Sequence, residues 1–200
     1  MRTAAAARTR PRCRPLVRVV AIGLIAAMTL ALTACGGGTT KAVVFGEADL
    51  PHLLLQPSDA QGLDYSEEAS KEVEANWTEG GDERLKALGL QGARFALFES
   101  ADYGEADVTS GALRFGDSDG ASRALDYLSE ELKEPIFRGE LATNIAADGL
   151  GDESWGLKSA DGILYGFRVG NAVILLIALG DVDARGLAEK VAERVAGAAR

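Results

Sequence analysis

Cysteine and histidine are scarce in this 200-residue chain, which has two of the first and one of the second. Both cysteines, Cys13 and Cys35, fall within the first 35 residues, so the remainder has no thiol. That excludes disulfides, thiol nucleophiles and Cys-type zinc sites from residue 36 onward. The globule must stand on its hydrophobic core, and about 160 residues suffice for one typical domain. The lone histidine, His52, excludes a histidine-rich metal site and is the only base a Ser-His-Asp triad could use. Basic charge is also in short supply. Residues 1–34 hold six arginines and no acid, which leaves 15 basic against 30 acidic side chains, a net of −15, in the remainder. Nucleic-acid binding needs Lys/Arg clusters to displace phosphate counterions, so it is disfavoured, as is non-specific attachment to anionic headgroups. No unit of about 20–50 residues repeats.

The first 35 residues have a definite layout. Arg2, Arg8, Arg10, Arg12, Arg14 and Arg18 mark a basic start, and an apolar run spans Leu16 to Ala34. A positive start stays on the cytoplasmic side while the apolar segment enters the translocon, which is the order of a secretory signal. There is no Arg-Arg pair for the twin-arginine route. The segment ends in Leu32-Thr33-Ala34-Cys35, which resembles the lipobox of bacterial lipoproteins. The resemblance implies that the Cys35 thiol receives a diacylglycerol and that the leader is cut just before it. Two acyl chains, at about 0.8 kcal/mol per buried CH₂, suffice for stable attachment to a cell membrane. Two other readings stay open. One is an uncleaved transmembrane helix over the 19 residues Leu16–Ala34, near the lower end of a span of roughly 17–25. The other is an ordinary signal-peptidase cut without lipid. The expected organisation is a lipoprotein signal peptide at 1–34, a flexible glycine-led tether at 35–41, and a single extracytoplasmic domain at 42–200.

Hydrophobic periodicity divides that domain. Pro57-Ser58-Asp59 reads as a turn or short helix start. Leu63–Ala69 reads as a strand, with a Glu- and Ala-rich helix over Ser66–Trp77 competing for the same residues. Asp82 caps a helix over Glu83–Leu88, with Gly89 at its C′ position. Arg94–Glu99 and Asp107–Phe115 read as strands. Asp117 or Ser118 then caps a helix to Lys133, whose Ala121, Leu125, Leu128 and Leu132 share one face, and Pro135 stops it. Strands follow at Glu140–Ile145 and Ser154–Lys158. Ile163–Val169 and Ala172–Leu179 form a hairpin through Gly170-Asn171, where a Gly-first two-residue loop matches strand twist. The second arm is apolar nearly throughout, as a central strand covered on both faces must be. Asp181 or Asp183 caps a last helix to Ala196 with Leu187, Val191 and Val195 as its stripe. Short β-to-β links require antiparallel pairing, so the fold class is α+β, an antiparallel sheet with two main helices packed on it, expected on one face.

Three segments resemble a type of small, functionally uncharacterised lipoprotein domain common in actinobacteria. They are Leu53-Leu54-Leu55-Gln56-Pro57-Ser58-Asp59, Gly149-Leu150-Gly151-Asp152-Glu153-Ser154 and Phe167-Arg168-Val169-Gly170-Asn171-Ala172-Val173. Such domains sometimes resemble the Mog1/PsbP-like fold. The resemblance implies a non-enzymatic binding or accessory lipoprotein and brings no catalytic residue with it.

The remaining candidates for chemistry each meet a plainer explanation. His52 follows Pro51 in a segment with no expected helix or strand to hold a base. Ser154 sits in Gly-x-x-Ser-x-Gly before a strand, whereas a nucleophile elbow is Gly-x-Ser-x-Gly before a helix. Asp117-Ser118-Asp119-Gly120 resembles the start of a calcium loop, but position 12 is Leu128 and the glycine is misplaced, so a helix cap fits better. Asp148, Asp152 and Glu153 form either a loose oxygen cluster for a cation or a hydrated acidic turn. Gly92 and the other glycines make no phosphate-cradling loop. Trp77, Tyr103, Trp155 and Tyr165 either line an apolar pocket or pack in the core. The lipobox resemblance, with the acidic remainder and the absence of a nucleophile–base set, therefore implies a membrane-anchored lipoprotein that binds an apolar ligand or envelope protein without catalysis, in an apolar cleft between sheet and helix, with no cofactor or metal residue assigned. A carboxylate-dependent hydrolase acting on envelope polymers is the alternative, and it requires acids converging in one cleft with raised pKa values. A purely structural docking module is the third reading.

Overall fold

The computed structural model describes residues 43–79, 83–100, 106–133 and 142–198. Leu50 and Leu53 recur at the three-residue period of a 3₁₀ turn, and both are fully buried within a 3₁₀ helix over Glu47–Leu53. His52 lies in that helix with its side chain exposed, so the segment is more regular than its composition suggested. The ambiguous stretch that follows divides in two: strand β1 takes Asp64–Ser66 and helix α1 takes Glu67–Glu79. Acids Glu67 and Glu68 occupy the first turn of α1, where the helix dipole favours them, and Lys71 pairs with Glu67 one turn on at 2.6 Å. A short helix α2, Glu83–Ala87, ends at Gly89, whose φ of +94° suits the left-handed position past a helix end. Its expected cap, Asp82, lies outside the described residues.

Strands β2 (Leu90–Glu99) and β3 (Ala106–Phe115) precede helix α3 (Ser118–Glu131). The Asp117 carboxylate caps α3 by accepting the Gly120 N–H at 2.7 Å. Ala121, Leu125 and Leu128 are buried, as their shared face requires. Pro135 lies outside the described residues. Strand β4 is Thr143–Ile145, shorter than the expected Glu140–Ile145, whose first two positions are also outside them. Strands β5 (Glu153–Lys158), β6 (Gly162–Val169) and β7 (Ala172–Leu179) complete the sheet, and helix α4 (Ala184–Ala198) follows. Gly170 has φ +56° at the first loop position of the β6–β7 hairpin. Asp183, rather than Asp181, supplies the α4 cap: it accepts the Gly186 N–H at 3.0 Å.

The seven strands described pair in the order β1-β2-β3-β7-β6-β5-β4, every neighbour antiparallel. This is an α+β fold with β7 at the centre of its sheet. One expectation is overturned: the two main helices do not share a face. Leu125 and Leu128 of α3 pack with Val173 and Leu175 of β7, whereas Leu187, Val191 and Val195 of α4 pack with Ile174 and Leu176. The cause is β7 itself, whose residues are apolar at both parities, so each face needs a covering layer. The 3₁₀ helix joins α4 on its side through Leu50 and Leu53, and α1 and α2 join α3 on the other through Val73 and Leu85. Phe98, Phe115 and Phe167 are fully buried, each worth roughly 1.5–3 kcal/mol of apolar transfer. Among the described residues no helix is long and apolar enough to cross a membrane.

Candidate functional site

Arg168 joins two of the segments that carry the lipoprotein-domain resemblance. It stands on β6 next to the hairpin turn, with only 12% of its side chain exposed. One terminal nitrogen donates to Asp152 at 3.2 Å and to the Gly170 carbonyl at 2.8 Å, and the other donates to Glu153 at 3.0 Å. Asp152 also accepts the Gly170 N–H at 2.9 Å, and the Ser122 hydroxyl of α3 donates to Glu153 at 2.7 Å. The planar fork of a guanidinium suits this double contact. Hydrogen bonds from Arg168 and then from Ser122 hold the Glu153 carboxyl below its ordinary value of 4.5. That direction is opposite to the one a general acid requires. The carboxylates of Asp152 and Glu153 thus brace a turn. Asp148 contributes its backbone carbonyl, which accepts from Arg185 at 2.7 Å.

Helix α4 secures the remaining segment. Arg194 donates to the Leu54 carbonyl at 2.7 Å and pairs with Asp59, while Lys190 donates to the Asp59 carbonyl at 2.9 Å. Arg185, one helical face away, donates from Nε to Glu189 at 2.7 Å and lies 5.9 Å from the centre of the Tyr165 ring. Of the three resembling segments, 53–59 is bonded directly to α4, and the other two border it at Gly149, Gly151, Asp152 and Val169.

Where α4 passes the turn at 146–152, the surfaces diverge into a groove of about 510 Å³. Val169, Ala192 and Ala196 give it apolar surface, Gly149 and Gly151 form the facing wall, and Asp152, Glu189, Glu193 and Arg185 line its rim. The sequence reading expected an apolar cleft between the sheet and a helix, whereas this groove lies between a helix and a turn and carries acids on its rim. A smaller cavity of about 370 Å³ includes Asp59 and Asp183, both already engaged by Arg194 and the α4 cap. Another, of about 410 Å³, lies between α3 and strands β4 and β5, beside Trp155.

The other sequence candidates resolve individually. The lipobox residues Leu32, Thr33, Ala34 and Cys35 lie outside the described residues. The Ser154 hydroxyl donates to the Ala147 carbonyl at 2.8 Å, closing the turn ahead of β5. Trp155 is half-buried and donates its indole N–H to the Leu125 carbonyl at 3.0 Å. Tyr165 is buried on the opposite face of the sheet, so these two aromatics do not form one pocket. Tyr103 and the Trp77 side chain lie outside the described residues. Among the described residues no group of three or more His, Cys, Asp or Glu is placed to hold a metal ion. The groove itself was missed in the sequence because a helix face and a turn more than thirty residues earlier form it together.

The architecture defines a class: a small α+β domain with an antiparallel sheet covered on both faces. No protein-family model and no curated protein matches the chain. A solved structure does: the chain is similar to the extracellular domain of PknH from Mycobacterium tuberculosis, with a TM-score of 0.52 and 11% sequence identity. The match covers 78% of this chain and 99% of that one. At this identity the likeness is one of fold.

Proposed function

We propose that this protein is a lipoprotein held on the outer side of the cell membrane by lipid on Cys35, and that its α+β domain binds a ligand or an envelope protein without catalysis. The groove beside α4 is its binding site. The observation that carries this reading is the state of the acids there. Asp152 is engaged by Arg168 and the Gly170 amide, and Glu189 is engaged by Arg185. Glu153, next to the groove, is held below its ordinary range by its Arg168 and Ser122 contacts. Two carboxylates committed to arginines make a braced wall for recognition and a poor acid–base pair for hydrolysis. The fold likeness to a domain described as extracellular supports the location, as does the leader ending in Leu32-Thr33-Ala34-Cys35.

The test has two arms. Intact mass of the native protein is expected to show a chain beginning at Cys35 with a diacylglycerol adduct, and Cys35→Ala is expected to leave the membrane fraction. A chain that keeps its initiator methionine, or a variant that stays membrane-bound through Leu16–Ala34, overturns the anchor. Mass spectrometry of lipids and proteins that co-purify from membranes tests the binding arm, with recovery lost on filling the groove as the expected result.

A further inference from the structure

We propose that the domain stands on the membrane with the end bearing the β6–β7 turn toward the phospholipid headgroups. The opposite end, built from the turns at 60–63, 159–162 and 180–183, is then the surface that another envelope protein can reach. This deepens the binding reading above and rests on the lipid anchor at Cys35.

The first described residues are locked to the hairpin end. The Asn171 side-chain amide engages both backbone groups of Phe45. Phe45 is 3% exposed and belongs to the same core cluster as Val169 and Ala172. Val43 lies so close to the turn that a Cβ at Gly170 would strike its carbonyl oxygen. The sheet register brings other strand ends to the same place: Leu90 pairs with Phe115, Arg114 with Ala172, and Glu153 with Arg168. At the far end Gly162 pairs with Leu179, Val108 with Ala178 and Asp64 with Glu99. The Gly180 N–H donates to the Asp161 carbonyl there at 3.4 Å. Strand β7 runs from one end to the other, Ala172 to Leu179, a length of about 23 Å.

The leash is short. Eight residue steps separate Cys35 from Val43. Covalent geometry limits eight steps to about 29 Å, even fully extended. Turning the domain over would use about 23 Å of that on the length of β7 alone, with the turns at both ends still to pass. The hairpin end therefore stays nearest the lipid. Charge does not hold it there. Asp117 and Asp119 are exposed at this end, and Arg168 is already paired with Asp152 and Glu153. Such a surface has no attraction of its own for anionic headgroups. Val169 and Asp152 put one border of the α4 groove at the membrane-facing end. The cavity of about 370 Å³ between 59–63 and 181–183 opens at the free one.

The experiment uses the full acylated chain in phosphatidylcholine liposomes that carry an energy-transfer acceptor on some of their headgroups. Past residue 34, Cys35 is the one cysteine, and acylation blocks its thiol, so a maleimide donor dye marks only an introduced cysteine. Asp119→Cys labels the hairpin end and Asp161→Cys the far end, both at exposed positions. Energy transfer is expected to be at least about twofold greater from Asp119→Cys, given the length of the sheet between the two sites. Inserting about twenty Gly and Ser residues after Gly38 is expected to bring that ratio toward one, because a long flexible leash permits every orientation. Equal transfer from the two sites on the native leash, or greater transfer from Asp161→Cys, overturns the orientation. A ratio unchanged by the insertion overturns the leash as its cause. Dye on the parent chain at Cys35, or failure of that chain to float with the liposomes, overturns the anchor, and the orientation falls with it.

Discussion

Asn171 grips Phe45 by both polar ends of its amide: Oδ1 accepts the Phe45 N–H at 2.7 Å and Nδ2 donates to the Phe45 carbonyl at 3.2 Å. The same Nδ2 donates to the Phe115 carbonyl at 2.9 Å. Asn171 is 2% exposed, so these bonds form away from water. One side chain thus ties the hairpin turn to the first described residues and to the end of β3. Asn171→Ala leaves both Phe45 backbone groups without that partner, and a loss of about 2–4 kcal/mol is expected. Urea denaturation of the two proteins measures it. A change below about 0.5 kcal/mol would mean that the amide is dispensable.

Two glycines in one turn are expected to respond differently to the same substitution. Gly149 and Gly151 both have left-handed φ, +84° and +71°. An added Cβ is unobstructed at Gly149 but would collide with the Arg168 carbonyl oxygen at Gly151. Gly149→Ala is expected to cost only the backbone penalty, about 1–2 kcal/mol. Gly151→Ala adds a steric clash and is expected to cost at least about 1 kcal/mol more. Paired thermal or urea unfolding decides this, and equal losses would refute the packing argument.

Arg168 and Glu153 give the domain an acid-sensitive brace. Glu153 has a folded pKa below its ordinary 4.5, so its contribution is present above about pH 4.5 and is lost as pH falls through the folded value. Glu153→Gln is expected to cost up to about 1 kcal/mol at pH 7, because the pair is partly exposed. The gap between variant and wild type should narrow as pH falls below 4.5 and through the folded value. Arg168→Met removes the partner of two carboxylates and is expected to cost about 1–3 kcal/mol at pH 7. Arg168→Lys should recover only part of that, since an ammonium cannot match the guanidinium fork. A gap that persists at low pH would place the loss elsewhere.

Local patterns in the sequence carried much of this architecture. The Gly170-Asn171 loop between an alternating arm and an apolar one marked the hairpin, and the spacing of Ala121, Leu125 and Leu128 marked α3. The all-apolar β7 correctly required cover on both faces. The side of the sheet that each helix takes was not legible, because a connection length does not encode it. Ser70, Ser110 and Asn171 were missed for a related reason. Each is a buried polar residue whose partner is distant in sequence: Ser70 accepts the Leu97 N–H at 2.9 Å, and Ser110 accepts the Leu55 N–H at 3.0 Å. A serine in a helix, like Ser70, or in a strand, like Ser110, gives no periodic signal of such a bond. The segments Gly149–Ser154 and Phe167–Val173 were visible as a resemblance, and only the structure revealed Arg168 as the physical link between them.

The position of β7 also orders events in time. Residues 172–179 leave the ribosome after the six other described strands, yet they join β3 to β6 at the middle of the sheet. Until they emerge, the early strands β1 to β3 and the later strands β4 to β6 have no shared seam. A nascent chain halted before residue 172 can form neither the seam nor the α4 covering, so the sheet cannot close until β7 has emerged. Until that strand arrives, the domain stays threadable.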